Sequence, residues 1–369
     1  MKALGVVTPT RSVARVETGT DLARRYYDEV VGPIVLGRWP GLPHAAGRLG
    51  SGSDVLGLDD ATSRDHDWGL RLTLLVDEPM VDEADALLDV ALPDTFAGHP
   101  TRFPTTWNPH GPHQVEVASP SGFTTSRLGL DATRPLAVDD WLALTGQAVL
   151  EVTAGPVFVD TDGRVTAARD RLAWYPDDLW RHAVAVDWAR IGQELPFVGR
   201  TAERGDDLGS RVVAARLVRV AMHLGFLLER RWPPYAKWLG TGFSRLPVAR
   251  DVAPQLAAAL AADTWQAREA ALATALTVLH DFQRSIGLPA VADAVGPFWN
   301  RPYLGLHDVP GALLDRRPRS VLGPASRRSQ SPSPRVRVSW RRWNRSTRIR
   351  RARTLRPGSR PTSQPARYR

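Results

Sequence analysis

The stretch GRLGSGSDVLGLDDATSRDHDWGLRLTLLV, residues 47–76, decides how the chain is read. Its second half alternates Trp68, Leu70, Leu72, Leu74 and Val76, the period of a strand with one face turned to a core. Residues two apart share a face, so Asp65 and Asp67 are expected to project together while His66 and Trp68 point the other way. Its first half, Gly50 to Ser53, is a glycine-serine turn whose backbone can approach a ligand closely and offer N–H groups to an anion.

Working outward, DLARRYYDEVVGPIVLGRW precedes the stretch with apolar residues at helical spacing behind Thr20 or Asp21 as a cap, which predicts a helix. VDEADALLDVAL follows it as a short amphipathic helix, and HQVEVAS as a compact strand with Glu116 between Val115 and Val117. From about residue 135 the texture changes. PVFVDTDGRVTAAR reads as a hairpin around Asp162-Gly163, and three long helical patterns begin at Asp177, Leu208 and Asp251. In the second of these, Val213, Leu217, Val220, Leu224 and Leu228 form a core stripe.

The fold class expected is α+β: an N-terminal mixed sheet with flanking helices over residues 1–134, a mainly helical bundle over 135–315, and a disordered tail over 316–369.

The chain has 369 residues, 43% of them hydrophobic, enough for a substantial core. It has no cysteine, which excludes disulfides, thiolate metal sites and cysteine nucleophiles. No apolar run reaches the roughly 18 residues of a membrane span, and the first twenty residues lack the apolar core of a leader, so a cytoplasmic protein without membrane partners is expected. The net charge of +9 divides unevenly: residues 316–369 hold 18 Arg and no acid, leaving 30 basic and 39 acidic residues before them, a net of −9. The tail is rich in Arg, Ser and Pro without apolar periodicity and cannot offset the entropy of ordering. Three readings stand for it. It is a solvated segment, a nucleic-acid arm in which Trp340, Trp343 and Tyr368 stack on bases, or the product of a shifted reading frame in a GC-rich gene, as two Lys against 46 Arg suggest.

Gly52-Ser53, eleven residues, and then Asp65-His66-Asp67-Trp68 resembles the signature of the nucleotidyltransferase superfamily typified by DNA polymerase β and the aminoglycoside nucleotidyltransferases. Ser51 and His66 stand where that pattern has aliphatic residues. PPYAKWLGTGF (233–243) and PFWNRPY (297–303) are similar to segments of an uncharacterised actinobacterial nucleotidyltransferase-like family.

The resemblance implies a nucleotidyltransferase that moves a nucleoside monophosphate from a nucleoside triphosphate (ATP or another) to a hydroxyl acceptor, releasing pyrophosphate. Two Mg²⁺ ions would be held by Asp65, Asp67 and a third acid, for which Glu116 is the best match and Asp131 the fallback. Carboxylates suit such a hard cation. Gly52 and Ser53 would hold the triphosphate. Lys237 would bind a phosphate as a point charge, or else lie along a helix surface. Arg200, Arg204 and Arg211 surround a helix start that either binds phosphate or is capped by Asp206 and Asp207. His66, His110 and His113 lack the fourth ligand a zinc site needs. The acidic body favours a small neutral or cationic acceptor over RNA; the same chemistry on RNA or protein, and a non-catalytic nucleotide-binding protein, are the alternatives.

Overall fold

The computed structural model describes residues 18–59, 69–104, 108 and 110–315. Asp65, His66, Asp67 and the tail lie outside the described residues.

The first helix is capped at Thr18 rather than at Thr20 or Asp21. Thr18 accepts from the Asp21 N–H at 3.1 Å while the Asp21 carboxylate takes the Thr18 N–H at 3.2 Å, a reciprocal cap that opens α1 (Gly19–Tyr26). A π-turn, Tyr27–Val31, passes the chain into α2 (Gly32–Arg38). Pro33 accounts for the turn, because its ring would press on the carbonyl four residues earlier in a continuous α-helix. There follow β1 (Ala45–Gly47), β2 (Leu72–Leu75), α3 (Val81–Ala91), the short pair β3 (Thr95–Phe96) and β4 (His99–Pro100), β5 (Val115–Ala118), α4 (Pro120–Leu128), α5 (Val138–Ala143), α6 (Gly146–Thr153) and β6 (Val157–Asp160).

Strands β5, β2, β1 and β6 form a mixed sheet in that order, β2 parallel to β5 and the other pairs antiparallel. The alternation read from the sequence holds across it. Leu70, Leu72, Leu74 and Val76 join Val115 and Val117 in a core with Leu22, Tyr26 and Val31 of the first helices and Leu88 of α3. Leu75 and Ala45 face the other way, toward Phe123 of α4 and Val149 of α6. Both faces are covered, so the strand residues Leu72, Thr73, Leu74 and Leu75 are all buried.

The expected hairpin around Asp162-Gly163 is not formed. After β6, Gly163 at φ 72° turns the chain into α7 (Arg164–Arg171), and the Asp160 carboxylate accepts from the Thr166 N–H at 2.8 Å and hydroxyl at 2.7 Å. Asp-Gly permits a hairpin only if a second strand follows it; the sequence RVTAARDR has helix formers instead.

The remaining chain is helical: α8 (Asp177–Glu194), α9 (Phe197–Ala202), α10 (Asp207–Leu228), α11 (Ala236–Phe243), α12 (Ala249–Ala261) and α13 (Trp265–Ser285), then the hairpin β7 (Val295–Pro297) and β8 (Leu304–Leu306) and a last helix α14 (Val309–Leu314). The third long pattern is two helices, because Thr264 caps α13 on the Ala267 N–H and ends the run at Ala261. Leu217, Val220, Leu224 and Leu228 are buried as the stripe required, packed with Trp188, Ile191, Leu276 and Leu279. An aromatic group joins this core to that of the sheet: the ring centre of Tyr175 lies 4.5 Å from that of Trp232 and 5.7 Å from that of Trp141, and that of Trp174 4.8 Å from Trp232's. Among the described residues no helix is long and apolar enough to cross a membrane.

Candidate anion site at the glycine-serine loop

The loop after β1 is wound around one buried arginine. Arg48 is 4% exposed and grips Asp54 with two bonds, Nε to Oδ2 at 2.7 Å and Nη2 to Oδ1 at 2.9 Å. Its remaining donors reach the carbonyls of Leu49 at 2.7 Å and Ser51 at 3.0 Å. A buried guanidinium is tolerated because its donors are met by a carboxylate and carbonyls. The pair also explains a glycine. At Gly52, φ is 149° and an added Cβ would lie 2.2 Å from Asp54 Oδ1. Gly50 donates its N–H to the Glu151 carbonyl at 2.8 Å, tying the loop to α6. Ser53 is half-buried, and its carbonyl accepts from the Leu58 N–H at 2.8 Å. Asp59 accepts from the Gly19 N–H at 3.3 Å at the start of α1.

Glu116 sits in β5 opposite Thr73 of β2, on the face of Leu75 and away from Val115 and Val117. The helix after it, α4, starts at once because Ser119 caps it on the Gly122 N–H at 3.0 Å and Pro120 opens its first turn. That short connection carries Arg127 back over the strand. Arg127 Nη2 meets both Glu116 oxygens, at 2.7 and 2.5 Å, its Nε is 3.8 Å from Glu151 Oε2, and its guanidinium lies 5.2 Å from the Phe123 ring centre.

Loop and strand meet at a cavity of about 230 Å³. Arg48 and Ser51 border it from the loop, Arg71 and Thr73 from β2 and the residue before it, His113, Gln114 and Glu116 from β5 and its approach, and Arg127 from α4. Three arginines and one carboxylate thus border it, with Arg48 paired to Asp54 and Arg127 to Glu116. Such a lining suits an anion. Drug-sized ligands occupy roughly 300–1,000 Å³, more than this volume.

The described donors do not by themselves hold a divalent cation. Among the described residues no three His, Asp or Glu side chains converge on a metal position, and Glu116 has both oxygens on Arg127. The structure thus brings Glu116 to the same cavity as the glycine-serine loop, through Ser51 and Arg48; Gly52 and Ser53 are not in its lining. Lys237 is not in it either, and its ammonium lies 5.0 Å from the Trp238 ring centre. Asp131, the fallback third acid, belongs to a turn: it accepts from the Thr133 N–H at 2.9 Å and lies 2.9 Å from Arg134 Nε. Burial pushes its carboxyl up, and bonds from Thr133, Ser121 and Arg134 more than reverse this and hold it below the usual range.

Near the start of α10 the charges have local partners. Asp206 caps the helix on the Gly209 N–H at 2.7 Å, Arg211 pairs with Asp207 at 2.7 Å, and Arg200 lies over the Phe197 ring. Sequence reasoning missed Arg48, Arg71 and Arg127. Arg48 had a local signal, because it and Asp54 flank the glycine turn with opposite charges; Arg127 had none, because only the β5–α4 fold-back brings it to Glu116.

A family model described as a domain of unknown function, DUF4037, matches residues 141–239, from α5 to α11. No curated protein matches the chain. A nucleotidyltransferase-like protein from Exiguobacterium sibiricum 255-15, of solved structure, is similar at 14% identity over 74% of this chain and 82% of that one, with a TM-score of 0.33.

Proposed function

We propose that the chain is a nucleotidyltransferase that passes a nucleoside monophosphate from a nucleoside triphosphate to a hydroxyl of a small acceptor. The observation that carries this reading is the position of Glu116. The sequence pattern requires a third acid on a strand beside the one that follows the glycine-serine turn, and β5 lies parallel to β2 with Glu116 on the wall of a cavity that the turn also borders. The arginine lining supports the placement of the phosphate chain there.

Arg71 and Arg127 would orient the phosphates and offset the charge that grows on the leaving pyrophosphate, while the rigid Arg48–Asp54 pair keeps the loop in position. Asp65 and Asp67 are assigned the Mg²⁺ ions in this reading, with Glu116 as the third ligand once Arg127 turns from it to phosphate. Bound Mg²⁺ would supply further neutralisation of the transferring phosphoryl group. Gly52 and Ser53 are assigned to the nucleotide by the sequence pattern alone, and Lys237 by its charge between Tyr235 and Trp238. The net charge of −9 before residue 316 supports a small acceptor over RNA.

A second reading, nucleotide binding without transfer, is favoured by one observation: Glu116 is neutralised by Arg127. Incubating the protein with each labelled nucleoside triphosphate and Mg²⁺, and assaying pyrophosphate with a panel of hydroxyl acceptors, separates the two. Pyrophosphate release that the Asp65→Ala/Asp67→Ala double variant loses supports transfer. Nucleotide binding without release supports the second reading, and equal behaviour of wild type and double variant removes the site assignment.

A further inference from the structure

A glutamine on the cavity wall has one end of its amide fixed and the other end unused. Gln114 stands one residue before β5, and since residues two apart share a face, it projects with Glu116 rather than with Val115. Its carbonyl accepts from the Leu72 N–H at 3.2 Å, which extends the parallel β2–β5 ladder and makes Arg71 its neighbour across the pair. Arg71, Thr73, Gln114 and Glu116 all border the cavity. The amide is held by its nitrogen: Nε2 donates to the Phe103 carbonyl at 2.7 Å and to the Pro112 carbonyl at 3.1 Å. Carbonyls only accept, so these two fix which way round the amide lies and engage both of its N–H donors. Oε1 is thereby presented on the far side as an acceptor with a set direction. It receives no hydrogen bond among the described residues and is not enclosed by them.

Guanidiniums beside an oriented amide oxygen make two different demands on one ligand. The arginines ask for an anion, and the oxygen asks for an O–H or N–H. Ionised phosphate oxygens only accept and cannot meet the second demand. A sugar esterified to the phosphate meets it through its hydroxyls. Neighbouring strands lie about 4.8 Å apart, so a phosphate held at Arg71 brings the adjoining sugar close to Gln114. We propose that Gln114 is a specificity-determining residue whose Oε1 accepts from a ribose hydroxyl, which makes the ligand of this cavity a ribonucleotide. The inference rests on the assignment of the cavity to phosphates and names the sugar that accompanies them. The Phe103 and Pro112 carbonyls are positioning groups: an amide free to turn over would offer N–H as readily as oxygen and would select less sharply. A ligand without the hydroxyl leaves the fixed oxygen unanswered, and the loss of affinity is the discrimination.

The test is isothermal titration of the full chain, without added metal, with ATP, 2′-deoxy-ATP, 3′-deoxy-ATP and 2′,3′-dideoxy-ATP. The wild type should bind ATP about tenfold more tightly than the dideoxy analogue, the factor that one neutral hydrogen bond is worth. The single-deoxy form that shares the loss identifies the hydroxyl, and a loss in either or both supports the inference. Gln114→Met removes the amide at similar length and should bind ATP and the dideoxy analogue alike. Gln114→Lys keeps a donor for the Phe103 and Pro112 carbonyls but has no acceptor. Its added charge acts on all four nucleotides and cancels in their ratio, so it too should bind them alike. Equal binding of the four by the wild type, or discrimination that survives in either variant, overturns the inference and leaves the cavity assignment standing. A folded wild type that binds none of them overturns both.

Discussion

Two arginines of this molecule make opposite use of the same chemistry. Arg268, in the helical bundle, is fully buried and reaches the Ser210 hydroxyl, Asp207 at 3.0 Å and the Ala262 carbonyl at 3.3 Å, so it ties α13 to α10 and to the end of α12. Arg127, over the sheet, is 24% exposed, pairs with a carboxylate that is itself 39% exposed, and stands at the edge of a cavity. The first is surrounded by the molecule's largest apolar core; the second has space in front of it. A guanidinium enclosed by fixed partners holds elements together. One that can exchange a carboxylate for an incoming phosphate serves a ligand.

Several substitutions break or sharpen that contrast. The largest effect is expected from Asp54→Ala, which leaves Arg48 buried without its carboxylate. Unfolding in urea should show a loss of about 3–5 kcal/mol, and pyrophosphate binding should fall with it because the loop loses its centre. Leu224→Ala, in the bundle stripe, should cost about 2–5 kcal/mol by the same measurement while leaving pyrophosphate affinity at the wild-type value. A binding loss there would show that bundle and cavity are not separable.

Titration of the bundle interior gives a smaller effect. Burial raises the Glu269 carboxyl to about 7, and its bond from the Leu304 N–H only partly opposes this. Since the folded value lies above the unfolded one, the native state holds the extra proton. The contribution is complete below the unfolded value and is lost as pH rises through the folded one. Glu269→Gln should therefore remove a decline in stability between about pH 4.5 and 7, worth on the order of 1–3 kcal/mol, checked by melts across that range. The smallest stability change is expected for Glu116→Gln, under about 1 kcal/mol, because the pair it breaks is partly solvated. Yet it should abolish most pyrophosphate release while metal-free pyrophosphate binding holds or tightens, since Arg127 is released to the anion.

The sequence carried the sheet well because its signal is periodic. Leu70, Leu72, Leu74 and Val76 do share a core with Val115 and Val117, and that parity alone turned Glu116 to the other face. The stripe of α10 was legible for the same reason. Where local signals had two outcomes, long-range packing chose. Asp162-Gly163 starts a helix because no partner strand follows, and Thr264 divides a run of helix formers that reads as continuous.

The candidate site was half legible. Carboxylates stand out in strands, so Glu116 was singled out, but its counter-ion comes from a helix that only folding brings back. Gly52 was read for phosphate, and its immediate cause is the Arg48–Asp54 pair beneath it. His113 lacked a metal's ligand set, and nothing local announces its neighbour Asp85, twenty-eight residues earlier on α3.

The most direct measurement is a crystal structure of the full chain with a non-hydrolysable nucleoside triphosphate and Mg²⁺. The account predicts phosphate oxygens within hydrogen-bond distance of Arg71 and Arg127, with Glu116 released from Arg127. A nucleotide bound elsewhere, with the Glu116–Arg127 pair intact, would contradict it.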